Sequence, residues 1–221
     1  MPDVQEYVLV RDNDDSYVND LVAANNTPIN HELVLIHCGW NTKNRSWAAQ
    51  KRNFEETKLI SEFCQLRNIQ LIFISSQSAT SHSNYGEMKN RAEASVLLNG
   101  GLVLRPGLII FEQPSGLQKI MASTVLSTFP IRLNPDVSIR TVSIMKLINF
   151  ITELIDGKVP LNRTVDFFDQ TISINSLAGK TFSRFVKIPV PIGIVKRVLK
   201  TSGRFSQRLY SLYDSFLGLT T

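Results

Sequence analysis

The 221-residue sequence predicts a parallel α/β fold, and three observations carry the prediction. Two short, continuously apolar runs, Leu33–His37 (LVLIH) and Ile69–Ser75 (IQLIFIS), have the character of strands buried on both faces. Two longer segments, Trp47–Leu66 and Tyr85–Leu98, read as helices. Polar or glycine breaks separate these elements, so strand and helix alternate, a rhythm that needs right-handed crossovers and a parallel sheet.

In order, Val4–Val10 alternates weakly as a strand, and the polar stretch Arg11–Ser16 suits the cap of a short helix, Tyr17–Asn25, broken by Asn26-Thr27-Pro28. The strand Leu33–His37 leads into a loop, Cys38-Gly39-Trp40-Asn41-Thr42. In the helix Trp47–Leu66 a rough period runs through Trp47, Phe54, Thr57, Leu59, Ile60, Phe63, Cys64 and Leu66. Asn68 ends it, the second apolar strand follows, and Ser76–Asn84 is a polar loop. The helix Tyr85–Leu98 ends at Gly100-Gly101, as a C-cap requires. Leu102–Leu104 is a strand, Arg105-Pro106-Gly107 turns it, and Leu108–Phe111 continues. This much is a Rossmann-like α/β core. Beyond it come a helix at Gly116–Phe129, an extended Pro135–Ser143, a helix at Met145–Asp156, a short strand at Val165–Phe168 and a helix at Ser176–Phe185. Ile188–Ile192 reads as a rigid connector before the helix Gly193–Lys200, and an apolar stripe from Phe205 to Leu217 closes the chain. The expected division is a core over residues 1–112 and a small, mainly helical C-terminal subdomain over 113–221 that partly continues the core.

A content of 43% hydrophobic and 19% charged residues excludes a disordered chain and allows one full core. No apolar run approaches the ~20 residues that cross a bilayer. Met-Pro-Asp-Val-Gln-Glu has neither the basic start nor the apolar stretch of a signal peptide. Two cysteines, Cys38 and Cys64, are too few for a disulfide framework. The expected compartment is the cytoplasm. The net charge of +5 is uneven: residues 1–30 hold six acids and one base, residues 180–208 eight bases and no acid. The basic run reads as a solvated face or a surface for phosphorylated substrates or anionic lipid. Few aromatics and no binding motif argue against nucleic acid. No Cys/His/Asp/Glu spacing suggests a metal.

The chemistry concentrates between Leu71 and Gly107. Tyr85 and Lys89, four apart, share a helix face, and an ammonium beside a phenol favours the phenolate. A hydroxyl from Ser76, or from Ser75, at the end of the preceding strand then completes a donor and acceptor set for alcohol–ketone chemistry.

With these residues in order, the sequence resembles the extended branch of the short-chain dehydrogenase/reductase superfamily, the NAD-dependent epimerase/dehydratase proteins acting mostly on nucleotide sugars. Leu33–Trp40 is similar to the family's fourth strand, Asn53 and Thr57 to its helix asparagine and threonine, Phe73–Ser76 to its fifth strand, Tyr85–Lys89 followed by Glu93 to its Tyr-x-x-x-Lys, and Leu104–Gly107 to its Arg-Pro-Gly. The resemblance implies Tyr85 as general acid/base, Lys89 as its electrostatic partner and a ligand of the nicotinamide ribose, and Ser76 as the residue orienting the substrate oxygen. It implies that His37, Cys38 and Gly39 line NAD or NADP through their backbone, that Arg105, Pro106 and Gly107 lie near the nicotinamide, and that Asn53 supports the family's fourth strand, here Leu33–Trp40, and the active-site loop.

One departure bears on the cofactor. No glycine precedes Gly39, so the glycine loop and first βαβ unit with which the family opens are lacking, and the chain reads as N-terminally truncated or atypical. Two functions follow. One is an NAD(P)-dependent nucleotide-sugar epimerase, dehydratase or reductase of surface-polysaccharide synthesis, a homodimer through the helices 47–66 and 85–98. The other is a non-catalytic relative, a binding or scaffolding protein that has lost the dinucleotide.

Overall fold

The computed structural model describes residues 34–42, 44–110, 131–155, 162–173, 175 and 188–203. In chain order the elements are β1 (Val34–His37), α1 (Trp47–Leu66), β2 (Gln70–Ile74), a 3₁₀ turn (Gln77–Thr80), α2 (Asn84–Leu98), β3 (Leu102–Pro106), β4 (Leu108–Ile110), β5 (Ile131–Asn134), β6 (Ser138–Ser143), α3 (Ile144–Ile155), β7 (Thr164–Phe167), β8 (Gln170–Ser173), β9 (Ile188–Pro191) and α4 (Ile192–Gly203). The strand expected at Val4–Val10, the helices at Tyr17–Asn25, Gly116–Phe129 and Ser176–Phe185, and the stripe Phe205–Leu217 lie outside the described residues.

The core is a four-stranded sheet ordered β1-β2-β3-β7, with every neighbouring pair parallel. Successive side chains of a strand point to opposite faces, and β2 shows the consequence. Leu71 and Phe73 join Ile60, Cys64, Ala92, Val96 and Val103 under α1 and α2. Ile72 joins Leu102, Leu104, Val142, Leu147 and Leu154 on the other face, where α3 packs. There Phe150 stacks on Phe167 with centroids 4.2 Å apart. Two helical layers cover a parallel sheet, the Rossmann-like α/β arrangement.

Helix ends follow local chemistry. Ser46 caps α1, accepting from the Ala49 N–H, and Ser83 caps α2, accepting from Gly86 N–H. Asn68 at φ +53° and Gly100 at φ +78° carry the chain out of α1 and α2.

Three details differ from the reading of the sequence. Arg105 and Pro106 do not turn the chain: they are the last residues of β3, in register with Asp166 and Phe167 of β7. The ladder continues because Gly107 N–H still donates to Phe167 O at 2.8 Å, and only there does the chain leave for β4 and a second sheet, β4-β6-β8. Ile188–Pro191 is not a bare connector but β9, paired parallel with β5. Its prolines, Pro189 and Pro191, alternate, so both missing N–H groups fall on one edge and the other edge can pair. The third difference concerns α1. Trp47, Leu59 and Leu66 are 47%, 50% and 84% exposed, whereas the inward residues are Gln50, Asn53, Thr57, Ile60, Ser61 and Cys64.

Candidate active site

The site lies at the carboxyl ends of β1, β2 and β3, where a parallel sheet presents its loops to ligands. The loop after β1 is held from below by the buried polar stripe of α1. Asn53 clasps Asn41 at both backbone groups, accepting from its N–H at 3.1 Å and donating to its carbonyl at 3.2 Å. Gln50 donates to the same carbonyl at 3.0 Å and accepts from the Trp40 indole N–H at 2.8 Å. The peptide groups of a half-buried loop need partners, and these carboxamides supply them. Asn53 thus supports the loop as the resemblance implied.

His37, the last residue of β1, stacks on Phe73 at 5.4 Å and bonds Thr57 Oγ1 at 3.0 Å. The Thr57 hydroxyl gives its single proton to Asn53 O, so His37 Nε2 is the donor in that contact. Burial first, and the charge of Lys89 second, push the His37 pKa down to about 4. At neutral pH this side chain is a neutral tether. Cys38 beside it is exposed, its thiol held up by desolvation against the pull of Lys89.

The two serines after β2 have separate duties. Ser75 is buried, and its hydroxyl donates to Glu93 Oε1 at 2.5 Å. Glu93 in turn takes the Arg105 guanidinium in a fork, with Nε 2.9 Å from Oε1 and Nη2 on Oε2. This network joins β2, α2 and β3 and holds Arg105 strongly protonated, chiefly through the Glu93 hydrogen bond. Ser76 faces the loop, where its Oγ caps the 3₁₀ turn by accepting from the Ser78 N–H at 3.2 Å. The turn presses on the first turn of α2. A Cβ at Gly86 would strike the carbonyl oxygens of Ser78 and Ser81, so only glycine fits after Tyr85. Gln77, first residue of the turn, buries its Nε2 with no hydrogen-bond partner.

Tyr85 and Lys89 lie on the inward face of α2, 9% and 2% exposed. Lys89 Nζ donates to Ile74 O at 2.9 Å and stands 4.2 Å from the Trp40 centroid, 4.5 Å from Phe73 and 5.9 Å from Tyr85. Burial pushes its pKa down to about 7, against the opposing charge of Glu93. The Arg45 guanidinium lies over the Tyr85 ring at 4.0 Å, and the Trp40 ring meets Tyr85 edge-on at 6.1 Å.

Of the residues expected at the site, the fold brings His37, Cys38, Ser76, Tyr85 and Lys89 to the same strand ends. Gly39 stands in the loop that Gln50 and Asn53 fasten. Arg105 is occupied by Glu93, Pro106 is buried, and a Cβ at Gly107 would meet the Arg140 carbonyl at 2.8 Å. The last two therefore have packing reasons to be what they are. Sequence reasoning missed Gln50, Arg45 and Gln77. The spacing Gln50-Asn53-Thr57-Ser61 was the available signal, since it repeats at helical intervals. Among the described residues, no group of three or more His, Cys, Asp or Glu is placed to hold a metal.

No protein-family model and no curated protein sequence matches the chain. Solved structures do. The Bordetella bronchiseptica enzyme WbmG, in complex with NAD and UDP, is similar over 72% of this chain and 59% of its own, at TM-score 0.59 and 12% identity. A dTDP-4-dehydrorhamnose reductase from Yersinia enterocolitica is similar over 73% and 67%, at TM-score 0.58 and 22% identity. The corresponding Bacillus anthracis reductase, in complex with NADP, is similar over 72% and 65%, at TM-score 0.53 and 16% identity. The chain thus spans about three fifths of the WbmG structure. At these identities the likeness establishes the fold: this is a Rossmann-like α/β chain, built as those structures are built.

Proposed function

We propose that the chain is an NAD(P)-dependent enzyme of alcohol–ketone chemistry on nucleotide sugars, of the epimerase, dehydratase or reductase kind. The observation that carries this reading is the pair Tyr85 and Lys89, inward on one face of α2 at the carboxyl end of β2. Tyr85 takes the proton of the reacting sugar hydroxyl, or returns it to the carbonyl. Two cations flank its ring, Lys89 Nζ at 5.9 Å and the Arg45 guanidinium at 4.0 Å from the centroid. Ser76, whose Oγ accepts from Ser78 N–H, keeps its own proton to orient the substrate oxygen. Ser75 is spent on Glu93 and has no such freedom.

The donors at these strand ends suit one end of a dinucleotide. Lys89 donates one of its three N–H groups, to Ile74 O, and Gln77 holds an amide donor without a partner. That donor set fits the ribose–nicotinamide end, with the backbone of His37, Cys38 and Gly39 and of Arg105, Pro106 and Gly107 as the remaining lining. When bound, the dinucleotide supplies the hydride chemistry. For a ribose hydroxyl to reach Lys89 the Trp40 indole has to swing aside, since its ring closes the ammonium at 4.2 Å.

That enclosure favours a second reading, a relative that binds nucleotide sugars without turnover. The setting implied by the first is surface-polysaccharide synthesis, with a homodimer through α1 and α2, whose Leu59, Leu66 and Leu98 are exposed. Calorimetric titration with NADH and NADPH, followed by turnover with a panel of UDP- and dTDP-sugars, separates the two. No binding at millimolar dinucleotide sinks the enzyme reading. If turnover is found, Tyr85→Phe abolishes it while cofactor affinity stays within a few-fold, and activity retained in that variant removes Tyr85 from the mechanism.

A further inference from the structure

Two side chains from the loop between β1 and α1 lie over the Tyr85 and Lys89 pair. The Trp40 ring stands 4.2 Å from Lys89 Nζ and meets the Tyr85 ring edge-on at 6.1 Å. The Arg45 guanidinium lies 4.0 Å from the centre of the Tyr85 ring. Trp40 and Arg45 are half-buried, and Cys38 and Thr42 of the same loop are exposed, whereas Lys89 is 2% exposed. The loop thus has one side on the pair and the other toward solvent. What fastens the indole is separable from what fastens the core. Its N–H donates to Gln50 Oε1 at 2.8 Å. Gln50 is fully buried, with its Nε2 on the carbonyls of Asn41 and Asn44, and Asn53 Nδ2 lies 3.5 Å from the same Oε1. If the indole leaves, Gln50 keeps both of its own bonds and its oxygen keeps a donor, so no buried group in the core is orphaned. Phe73 meets the ring only obliquely, at 6.0 Å and 44°.

We propose that Trp40 is a gate on the dinucleotide site, latched by Gln50, and that this gate sets the affinity for the cofactor. The inference rests on the NAD(P) reading above. A ribose and an indole cannot both stand against Lys89 Nζ, so the closed gate and the bound dinucleotide exclude one another. The observed affinity is then that of the open site reduced by the fraction of molecules that are open.

The test is calorimetric titration of NADH and NADPH into wild type, Trp40→Ala and Trp40→Phe, each first shown by circular dichroism to be folded. Trp40→Ala is expected to bind at least about 10-fold more tightly than wild type. Trp40→Phe, which loses the latch and keeps a ring, is expected to gain less. A second measurement needs no change at the gate. Of the two tryptophans, Trp47 is 47% exposed on α1, and Trp47→Phe leaves Trp40 as the sole emitter. Saturation of that protein with NAD or NADP in the oxidised form is expected to move its emission to longer wavelength, as the indole passes into water. Equal or weaker binding by folded Trp40→Ala overturns the gate and leaves the dinucleotide reading standing. If Trp40→Ala does not fold, the emission decides, and an unshifted spectrum at saturation overturns the gate. Binding by Trp40→Ala alone upholds the gate and gives the wild type to the second reading. If no folded protein of the set binds dinucleotide, the NAD(P) reading fails and the gate with it.

Discussion

Replacing Lys89 by methionine should make the protein more stable at neutral pH, and the gain should shrink as pH rises. The side chain is 2% exposed, and burial takes its pKa from 10.5 to about 7. At ~1.4 kcal/mol per tenfold, holding the ammonium inside costs about 5 kcal/mol. The Trp40 and Phe73 faces, 4.2 and 4.5 Å from Nζ, and the bond to Ile74 O act on the ammonium within that net cost, so on the order of 5 kcal/mol separates the variant from wild type below pH 7. The sign with pH follows from which state holds the proton. Below pH 7 both states are charged and the cost is fully present; between pH 7 and 10.5 the unfolded chain binds a proton the folded one has released, so wild-type stability rises with pH. From pH 7 to 9 that rise is about 2 kcal/mol, which removes a large part of the gap. Urea unfolding of both proteins at pH 6, 7, 8 and 9 reads it directly. A gap that stays constant from pH 6 to 9 refutes the argument, because Lys89 would then keep its proton throughout.

The two other groups of buried polar contacts give predictions of opposite kind. Glu93→Gln removes the charge that Arg105 and Ser75 share, leaving a guanidinium only 19% exposed without its anion; the expected loss is about 3 kcal/mol by urea unfolding, and a loss under about 1 kcal/mol would show the fork to be dispensable. Asn53→Ala frees both backbone groups of Asn41, costing about 1–3 kcal/mol and speeding amide hydrogen exchange at Asn41; unchanged exchange there contradicts the role given to the clasp.

The parallel core was legible in the sequence because β2 carries its apolar side chains to both faces without interruption, and because Gly100 and Asn68 stand where helices must end. The Tyr85 and Lys89 pair was legible because four residues make one helical turn. The inward face of α1 was not. Counting apolar residues assumes that inward means dry, yet α1 faces the peptide groups of the loop after β1, which require Gln50 and Asn53, and the imidazole of His37, which meets Thr57, rather than leucine. By the same error Leu59 and Leu66 were expected inside and stand outside. Nor could β9 be read from its prolines, since the pairing that uses its free edge lies more than fifty residues back, at β5.

The functional face sharpens once these polar groups are taken together. Around the ends of β1, β2 and β3 the chain spends most of its buried donors and acceptors on itself: His37 on Thr57, Ser75 and Arg105 on Glu93, Gln50 and Asn53 on Asn41. A surface built only for stability would finish the work. Two groups are left unfinished, Gln77 with no partner and Lys89 with one acceptor for three N–H groups. Lys89 is moreover kept near its point of proton release, so an anion or a hydroxyl brought against it would change its charge. Groups that fold at a cost and stay unsatisfied are the physical reason to look for chemistry at these strand ends.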